Sequence, residues 1–184
     1  MAKDLNIVVI EGTKRVQRQS IKAAKFVAEV GESMDGVKVT LVDPNDFKLD
    51  GDGNDPDGKD PKYTKITEEA DAFFVIVPEY NHSFPGSLKR VLDSELQNYI
   101  HKPVALAGAS SGRWGGVRAV ESLVPALREM GLVVTHTDAY FPNVQDVFDD
   151  AGKPKDELYY KSVEKSFTEL IWMAKALKYG RDNL

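Results

Sequence analysis

The chain of 184 residues contains no cysteine. This absence excludes a disulfide scaffold, a thiolate zinc site, an iron–sulfur cluster and a redox-active CxxC pair. An excess of positive charge is missing as well, because 24 Lys and Arg residues are outnumbered by 29 Asp and Glu residues, which gives a net charge of −5. General binders of nucleic acid or of anionic membranes are basic, so neither is an expected partner.

Long hydrophobic runs are also lacking. The longest, Ala72–Val77, is far shorter than the ~20 residues that a membrane-spanning helix needs. The apolar run near the N-terminus is interrupted at Glu11, which is too early for a signal peptide. With 42% hydrophobic and 29% charged residues, the composition is that of a folded globular protein. We therefore expect a cytoplasmic protein in which residues 1–184 form a single domain.

Short apolar runs alternate with segments of helical periodicity along the chain. Strands are predicted at Leu5–Ile10, Val37–Val42, Ala72–Val77, Val104–Ala107 and Leu132–Thr135. Helices are predicted at Ser20–Ser33, from Leu88 to Tyr99, at Val117–Met130 with Pro125 inside, and from Tyr160 to Leu177. Strands without strict alternation, separated by helices, are typical of a parallel sheet covered on both faces. The fold class predicted is α/β, a flavodoxin-like doubly wound sheet of five strands in the order 2-1-3-4-5, with ligands at the carboxyl ends of the strands.

One segment, Pro44–Pro61, is rich in Asp, Gly and Pro and is predicted to be neither helix nor central strand. It is either a solvated surface loop or a calcium site, since Asp50, Asp52 and Asn54 have the spacing that begins an EF-hand loop. The Gly and Glu that such a loop needs at its sixth and twelfth positions are absent, and the three histidines lack ligand spacing. No metal site is therefore predicted.

Three polar loops follow predicted strands. The first loop, Gly12–Ser20, carries three cations within five residues just before a helix. Backbone N–H groups and the positive helix terminus suit an anion there, although a basic surface turn would look the same. Neither GxGxxG nor GxxxxGK[ST] is present, so the dinucleotide fingerprint and the P-loop do not apply.

The second loop, Pro78–Gly86, and the third loop, Gly108–Gly116, complete the set. Tyr80 and His82 offer flat surfaces for a ring, and the glycines of the third loop let backbone approach a ligand closely. Trp114 is expected either at the edge of this site or as a core anchor. The carboxyl ends of parallel strands meet at one edge of a sheet, so the three loops are predicted to form one site. Taken singly, each could equally be an ordinary turn or connection.

The second loop carries a specific resemblance. Pro78-Glu-Tyr-Asn81, followed by Ser83, Pro85-Gly86 and Leu88-Lys89, resembles the signature of the NADPH-dependent FMN reductase family. The first and third loops resemble that family's phosphate loop and third loop, and the similarity spans about Leu5 to Pro142. This sequence departs from the family's pattern at Glu11, Thr13 and Pro125 and in the Asp-rich segment Pro44–Pro61, called the acidic segment below.

The resemblance implies a flavoprotein oxidoreductase that uses FMN together with NADPH or NADH. Hydride would pass to the flavin N5, and a small-molecule acceptor such as a quinone, flavin, azo dye or chromate would then take two electrons in a ping-pong cycle. No catalytic side chain is implied, because the flavin carries the chemistry. The family also implies a homodimer or homotetramer.

The resemblance further implies which residues bind the cofactor. The FMN phosphate would be held by Thr13, Arg15, Arg18, Gln19 and Ser20. The isoalloxazine ring would be lined by Pro78, Glu79, Tyr80, Asn81 and Ser83, mainly through backbone groups. Its other edge would contact Ser110, Ser111 and Gly112.

Two other interpretations stay open. Gly108-x-Ser110-x-Gly112 matches the nucleophile elbow of a serine hydrolase, but only His136 follows it and no Asp lies between them. Glu121 or Glu129 would have to complete the triad. The other alternative is a flavodoxin-type electron carrier, docking through its acidic segment, or an FMN-binding regulatory protein, since fold alone does not fix function.

Overall fold

The computed structural model describes residues 5–184, and residues 1–4 of the predicted domain lie outside the described part. A parallel sheet forms in the order β2-β1-β3-β4-β5, and a further strand, β6, also pairs with β4. The strands are β1 Leu5–Glu11, β2 Val37–Val42, β3 Ala72–Pro78, β4 Pro103–Ala109, β5 Val133–Val134 and β6 Ala139–Phe141. The predicted flavodoxin-like order is confirmed.

Helices cover both faces of the sheet. They are α1 Ser20–Glu32, α2 Pro61–Glu69, α3 Gly86–Asp93, α4 Val117–Glu129, α5 Val144–Val147 and α6 Leu158–Asn183. One core cluster packs α1 and α6 against the sheet, and the other packs α3, α4 and Tyr63 of α2 against the opposite face. None of the helices described within residues 5–184 is long and apolar enough to cross a membrane.

The run of apolar residues in β3 follows from its central position. Phe74 and Ile76 belong to the cluster under α1 and α6, whereas Phe73 and Val75 belong to the cluster under α3 and α4. Successive side chains of a strand point to opposite faces, so a strand buried on both faces needs apolar residues at every position.

The register of the strands brings the predicted loops together. Glu11 at the end of β1 pairs with Ile76, and Pro78 at the end of β3 pairs with Ala109 at the end of β4. Gly12 then crosses so close to β3 that a Cβ atom there would lie 2.2 Å from the carbonyl oxygen of Ile76. Only glycine fits that crossing without moving the backbone.

The fifth strand differs from its prediction. Instead of one strand at Leu132–Thr135, the edge of the sheet consists of Val133–Val134 and, four residues later, Ala139–Phe141. The N–H of Thr135 still donates to Val104 of β4, the next three residues leave the ladder, and β6 then pairs with β4 again. A three-residue run is too short to register as a strand by hydrophobic pattern, and β6 was missed for this reason.

The predicted helix from Leu88 to Tyr99 is wrong at its end. Helix α3 stops at Asp93, and Tyr99 lies on a separate 3₁₀ turn at Gln97–Tyr99. The ring of Tyr99 is fully buried, and its hydroxyl lies 2.8 Å from that of Tyr63. Tyr99 matched the helical spacing of the apolar residues of α3 because it is buried in the same core, not because one helix continues to it.

The acidic segment contains more helix than predicted. Single 3₁₀ turns occur at Pro44–Asp46 and Pro56–Gly58, and α2 begins at Pro61. Each of these three elements begins at a proline that is preceded by an aspartate. The carboxylates of Asp43 and Asp60 accept hydrogen bonds from backbone N–H groups of the turns that they precede. Asp as N-cap with Pro at the first helical position is a recognised start signal that outweighs the segment's turn-rich composition.

Candidate functional site

The three loops line one cleft of about 350 Å³ at the carboxyl edge of the sheet. The structure brings ten of the predicted site residues into its wall: Thr13, Arg15, Arg18, Gln19, Ser20, Pro78, Glu79, Tyr80, Ser110 and Ser111. Three others lie outside the lining: Asn81, Ser83 and Gly112. The strand order therefore places all three loops around one cavity, as their positions after the strands predicted.

The first loop supplies the positive end of the cleft. It leads into α1, whose first turn contains no acidic residue and whose N-terminus receives no hydrogen bond from the side chain of Gln19. Gln19 and Ser20 line the cleft at this terminus, and the exposed Arg15 lies beside them. A helix N-terminus, its dipole and a nearby guanidinium are features that suit an anion.

Arg18 is less available than Arg15. Its guanidinium pairs with Asp43 at the end of β2, and its Nε lies 3.8 Å from Oε1 of Glu11. Glu11 is completely buried, and its Oε1 accepts a hydrogen bond of 2.5 Å from the Ser20 hydroxyl. Burial raises the pKa of Glu11 to about 7, against the opposing effects of the Ser20 hydrogen bond and the Arg18 charge.

The second loop begins with a tight hairpin. Tyr80 and Ser83 exchange backbone hydrogen bonds of 2.8 and 3.0 Å, with Asn81 and His82 between them at φ values of 50° and 66°. Two consecutive residues with positive φ are the mark of a type I′ turn. Ser83 meets Ser122 at 3.1 Å between their hydroxyls rather than lining the cleft.

Glu79 joins the second loop to the third. Its backbone N–H donates to the carbonyl of Ala109 at 2.9 Å. Its side chain lies 3.7 Å from Arg118, and its Oε2 is a buried acceptor without a hydrogen-bond partner among residues 5–184. An unpaired acceptor in the wall of a cleft is a position at which a ligand's N–H group can bind.

The glycines of the third loop allow it to pack closely. A Cβ atom at Gly108 would lie 2.5 Å from the carbonyl oxygen of Gly115, and one at Gly116, where φ is 91°, would lie 2.7 Å from the N–H of Ala109. Trp114 is 56% exposed and so is no core anchor, and it lies outside the cleft lining. The close backbone contacts at Gly108 and Gly116 make the third loop a compact wall of the cleft.

The serine-hydrolase arrangement does not form. The Ser110 hydroxyl accepts a hydrogen bond from the N–H of Gly112 at 3.1 Å, while Nδ1 of His136 lies 3.4 Å from Glu169 on α6. Within the described chain, no hydrogen bond links Ser110 to a histidine. In residues 5–184, likewise, no cluster of three or more His, Asp or Glu side chains could hold a metal ion.

Sequence reasoning missed four residues of the lining: Gln17, Ala109, Val144 and Gln145. Val144 and Gln145 begin α5, which is separated from the end of β6 by two residues. Recognising β6 as a strand would have placed them at the same edge of the sheet as the other loops. The cleft thus has a fourth contributor, which depends on the strand that the hydrophobic pattern did not reveal.

Comparison with known proteins agrees with this geometry. The family model described as NADPH-dependent FMN reductase matches residues 5–146. A quinone reductase of Pseudomonas putida is 26% identical over 85% of this chain and 88% of its own length. An NAD(P)H-dependent FMN reductase of Pseudomonas aeruginosa is 26% identical over 94% of this chain and 97% of its own length.

The fold has a counterpart among solved structures. The NAD(P)H:(acceptor) oxidoreductase flavoenzyme from Paracoccus denitrificans superimposes with a TM-score of 0.76 at 24% identity, over 93% of this chain and 98% of the other. The family match covers well over half of the chain and includes all three loops. The protein therefore belongs to the NADPH-dependent FMN reductase family, and it is an oxidoreductase with FMN as cofactor and NAD(P)H as reductant.

Proposed function

We propose that the cleft holds FMN with its phosphate at the first loop and its ring against the second and third loops. Two electrons pass there from NAD(P)H to a small-molecule acceptor of the quinone type. The observation that carries this proposal is the single cleft that joins the N-terminus of α1 to Tyr80 and Ser110. The quinone reductase among the similar proteins supports the choice of acceptor.

The first loop suits the phosphate for three reasons. The N-terminus of α1 is uncapped by the Gln19 side chain, Ser20 lies at its first position, and Arg15 is exposed beside it. Thr13 is almost fully buried, and its hydroxyl accepts a hydrogen bond from the N–H of Arg15 at 3.2 Å, which orders the loop. Phosphate oxygens accept hydrogen bonds from such N–H and guanidinium groups.

The other two loops suit a flat heterocycle. Pro78 and Tyr80 form one wall of the cleft, and Ser110 and Ser111 form another. The unpaired Oε2 of Glu79 is an acceptor for a ring N–H, and this buried atom gains the partner that it lacks among the described residues. The donor set and the cleft therefore fit FMN.

When bound, the flavin supplies the redox chemistry by accepting hydride from NAD(P)H and passing two electrons to the acceptor. The protein's residues bind and orient the cofactor and the two substrates, and none is needed as a general acid or base. We propose that NAD(P)H and the acceptor enter the same cleft in turn, which gives ping-pong kinetics. We further propose a homo-oligomer, supported by the exposed Val16 and Trp114 beside the site and by Trp172 on α6.

Reduction of the reconstituted protein tests this function. The protein is loaded with FMN, freed of unbound flavin and mixed with NADPH without oxygen while the visible spectrum is recorded. We expect retained flavin that bleaches within seconds, followed by reoxidation when benzoquinone is added. Flavin that is retained but not bleached would support an electron carrier instead.

Substitution of Arg15 tests the orientation of the cofactor. Arg15→Ala removes a charged donor from the phosphate end, so FMN affinity should fall by about 10- to 100-fold, the range for a hydrogen bond to a charged group. Affinity for riboflavin, which lacks the phosphate, should change little. Lys14→Ala is the matched control, because Lys14 neighbours Arg15 but lies outside the cleft lining. An equal loss for both flavins would contradict the proposed orientation.

A further inference from the structure

A buried carboxyl group lies directly beneath the proposed phosphate site. Glu11 ends β1, a strand whose other buried residues are apolar, and its side chain has no exposed surface. It is not part of the cleft lining, but both of the side chains that it meets, Arg18 and Ser20, are. Glu11 therefore belongs to the layer that supports the site.

The carboxyl group is only half satisfied. Its Oε1 accepts from the Ser20 hydroxyl at 2.5 Å, whereas its Oε2 finds no hydrogen-bond partner within residues 5–184. Nε of Arg18, at 3.8 Å from Oε1, is also buried and has no hydrogen-bond partner in the described chain. The charged groups that act on Glu11 are Arg18 of the first loop and Asp43, which directly follows β2.

We propose that Glu11 is a positioning residue that couples binding of the cofactor's phosphate to the uptake of one proton from solvent. As a neutral acid, Glu11 still accepts the hydrogen bond from Ser20. It no longer forms an ion pair with Arg18, whose positive charge can then interact with the phosphate. As a carboxylate, it opposes the phosphate from below in a region where charges are weakly screened. This inference rests on the proposed placement of the phosphate at the first loop.

The raised pKa of Glu11, about 7, agrees with this arrangement. A phosphate above the carboxyl group adds a second negative charge, which raises the pKa further. By linkage, the apoprotein then binds FMN more weakly as the pH rises through 7, because bound FMN requires a proton that the free protein has lost. The phosphate's own second ionisation, near pH 6, is complete over most of this range.

The test compares wild type with Glu11→Gln, which keeps an oxygen to accept from Ser20 and cannot ionise. FMN affinity of each apoprotein is measured by quenching of flavin fluorescence at several pH values. From pH 6.5 to 8.5, we expect wild-type affinity to fall about tenfold relative to the variant. Asp43→Asn is the control that keeps Glu11: without the negative charge that helps to raise the pKa of Glu11, FMN affinity should still fall with pH, but with its midpoint at a lower pH than in wild type.

A second measurement needs no variant. Calorimetric titration of wild-type apoprotein with FMN at pH 7.5, in buffers of different ionisation enthalpy, should report uptake of a proton. Parallel pH profiles for wild type and Glu11→Gln together with no proton uptake would overturn the role of Glu11 and leave the cleft as the FMN site. Absence of FMN binding in every variant would overturn the proposed site, and the role of Glu11 with it.

Discussion

Thr13 and Tyr80 are joined by a hydrogen bond of 3.0 Å between their hydroxyl groups. The two residues are far apart in the chain, and their contact ties the first loop to the second across the floor of the cleft. Thr13 is almost fully buried and Tyr80 is half-buried, so the bond is partly shielded from water. It fixes the distance between the end of the site that suits a phosphate and the end that suits a ring.

Removing either hydroxyl should loosen this link. We expect Tyr80→Phe to weaken FMN binding about fivefold, since a net hydrogen bond contributes about 1 kcal/mol. Thr13→Val should weaken binding more, because it also removes the acceptor of the Arg15 N–H. The double variant should lose little more than Thr13→Val alone, because the bond between the two hydroxyls is already gone in that variant. Flavin affinities of the four proteins form the test. Fully additive losses would show that the two hydroxyls act independently.

Gly12 should tolerate no larger residue. A Cβ atom would lie 2.2 Å from the carbonyl oxygen of Ile76 and 2.5 Å from Cδ of Pro78, and neither group can move without shifting β3. We expect Gly12→Ala to lower the free energy of unfolding by at least about 2 kcal/mol, as for other overpacked sites. Gly86→Ala is the control, because a Cβ atom there meets nothing within 4 Å. Denaturant unfolding of both apoproteins decides the matter, and equal stability would contradict the crowding argument.

The stability of the apoprotein should depend on the ionisation of Glu11. Its pKa in the folded protein is about 7, above the ordinary 4.5, so folding favours the protonated form. The cost of the buried carboxylate is absent below about pH 4.5 and grows as the pH rises to 7. Glu11→Gln removes that cost and should gain stability over wild type, by up to about 3 kcal/mol, at pH 8 but not at pH 4.5. A difference between the two proteins that is constant with pH would contradict this assignment.

The sequence was sufficient to predict those parts of the fold whose signal is local. Apolar runs located β1 to β4, and the Pro78-Glu-Tyr-Asn81 signature identified the family, whose three loops together supply the ten predicted residues that line the cleft. Residues 139–145 escaped because a three-residue edge strand carries almost no hydrophobic pattern.

The orientation of individual side chains was harder to foresee. Arg18 was expected at the phosphate, but its pairing with Asp43 depends on β2 lying beside β1, which is a tertiary contact. Asn81 was expected in the lining, and the positive-φ turn that it shares with His82 leaves it outside. The loop positions followed from topology, whereas such contacts depend on packing that no local pattern records.

Arg90 on α3 holds the acidic segment in place. Its guanidinium donates to the backbone carbonyls of Asp50, Gly53 and Gly58, at 2.6, 2.6 and 2.8 Å. These contacts order a segment that is otherwise largely exposed. Arg90→Ala should therefore release it and increase its cleavage by a protease at low concentration several-fold, because local opening controls such cleavage.

Lys89→Ala is the control for this prediction, since the neighbouring Lys89 pairs with Asp93 on the surface of the same helix. The cleavage sites in Arg90→Ala, identified by mass spectrometry, should fall within residues 50–58. The far-ultraviolet circular dichroism spectrum of this variant should match that of wild type. Cleavage that rises equally in both variants would mean that α3 itself had loosened. Cleavage that rises in neither would show that the turns following the Asp–Pro steps hold the segment without Arg90.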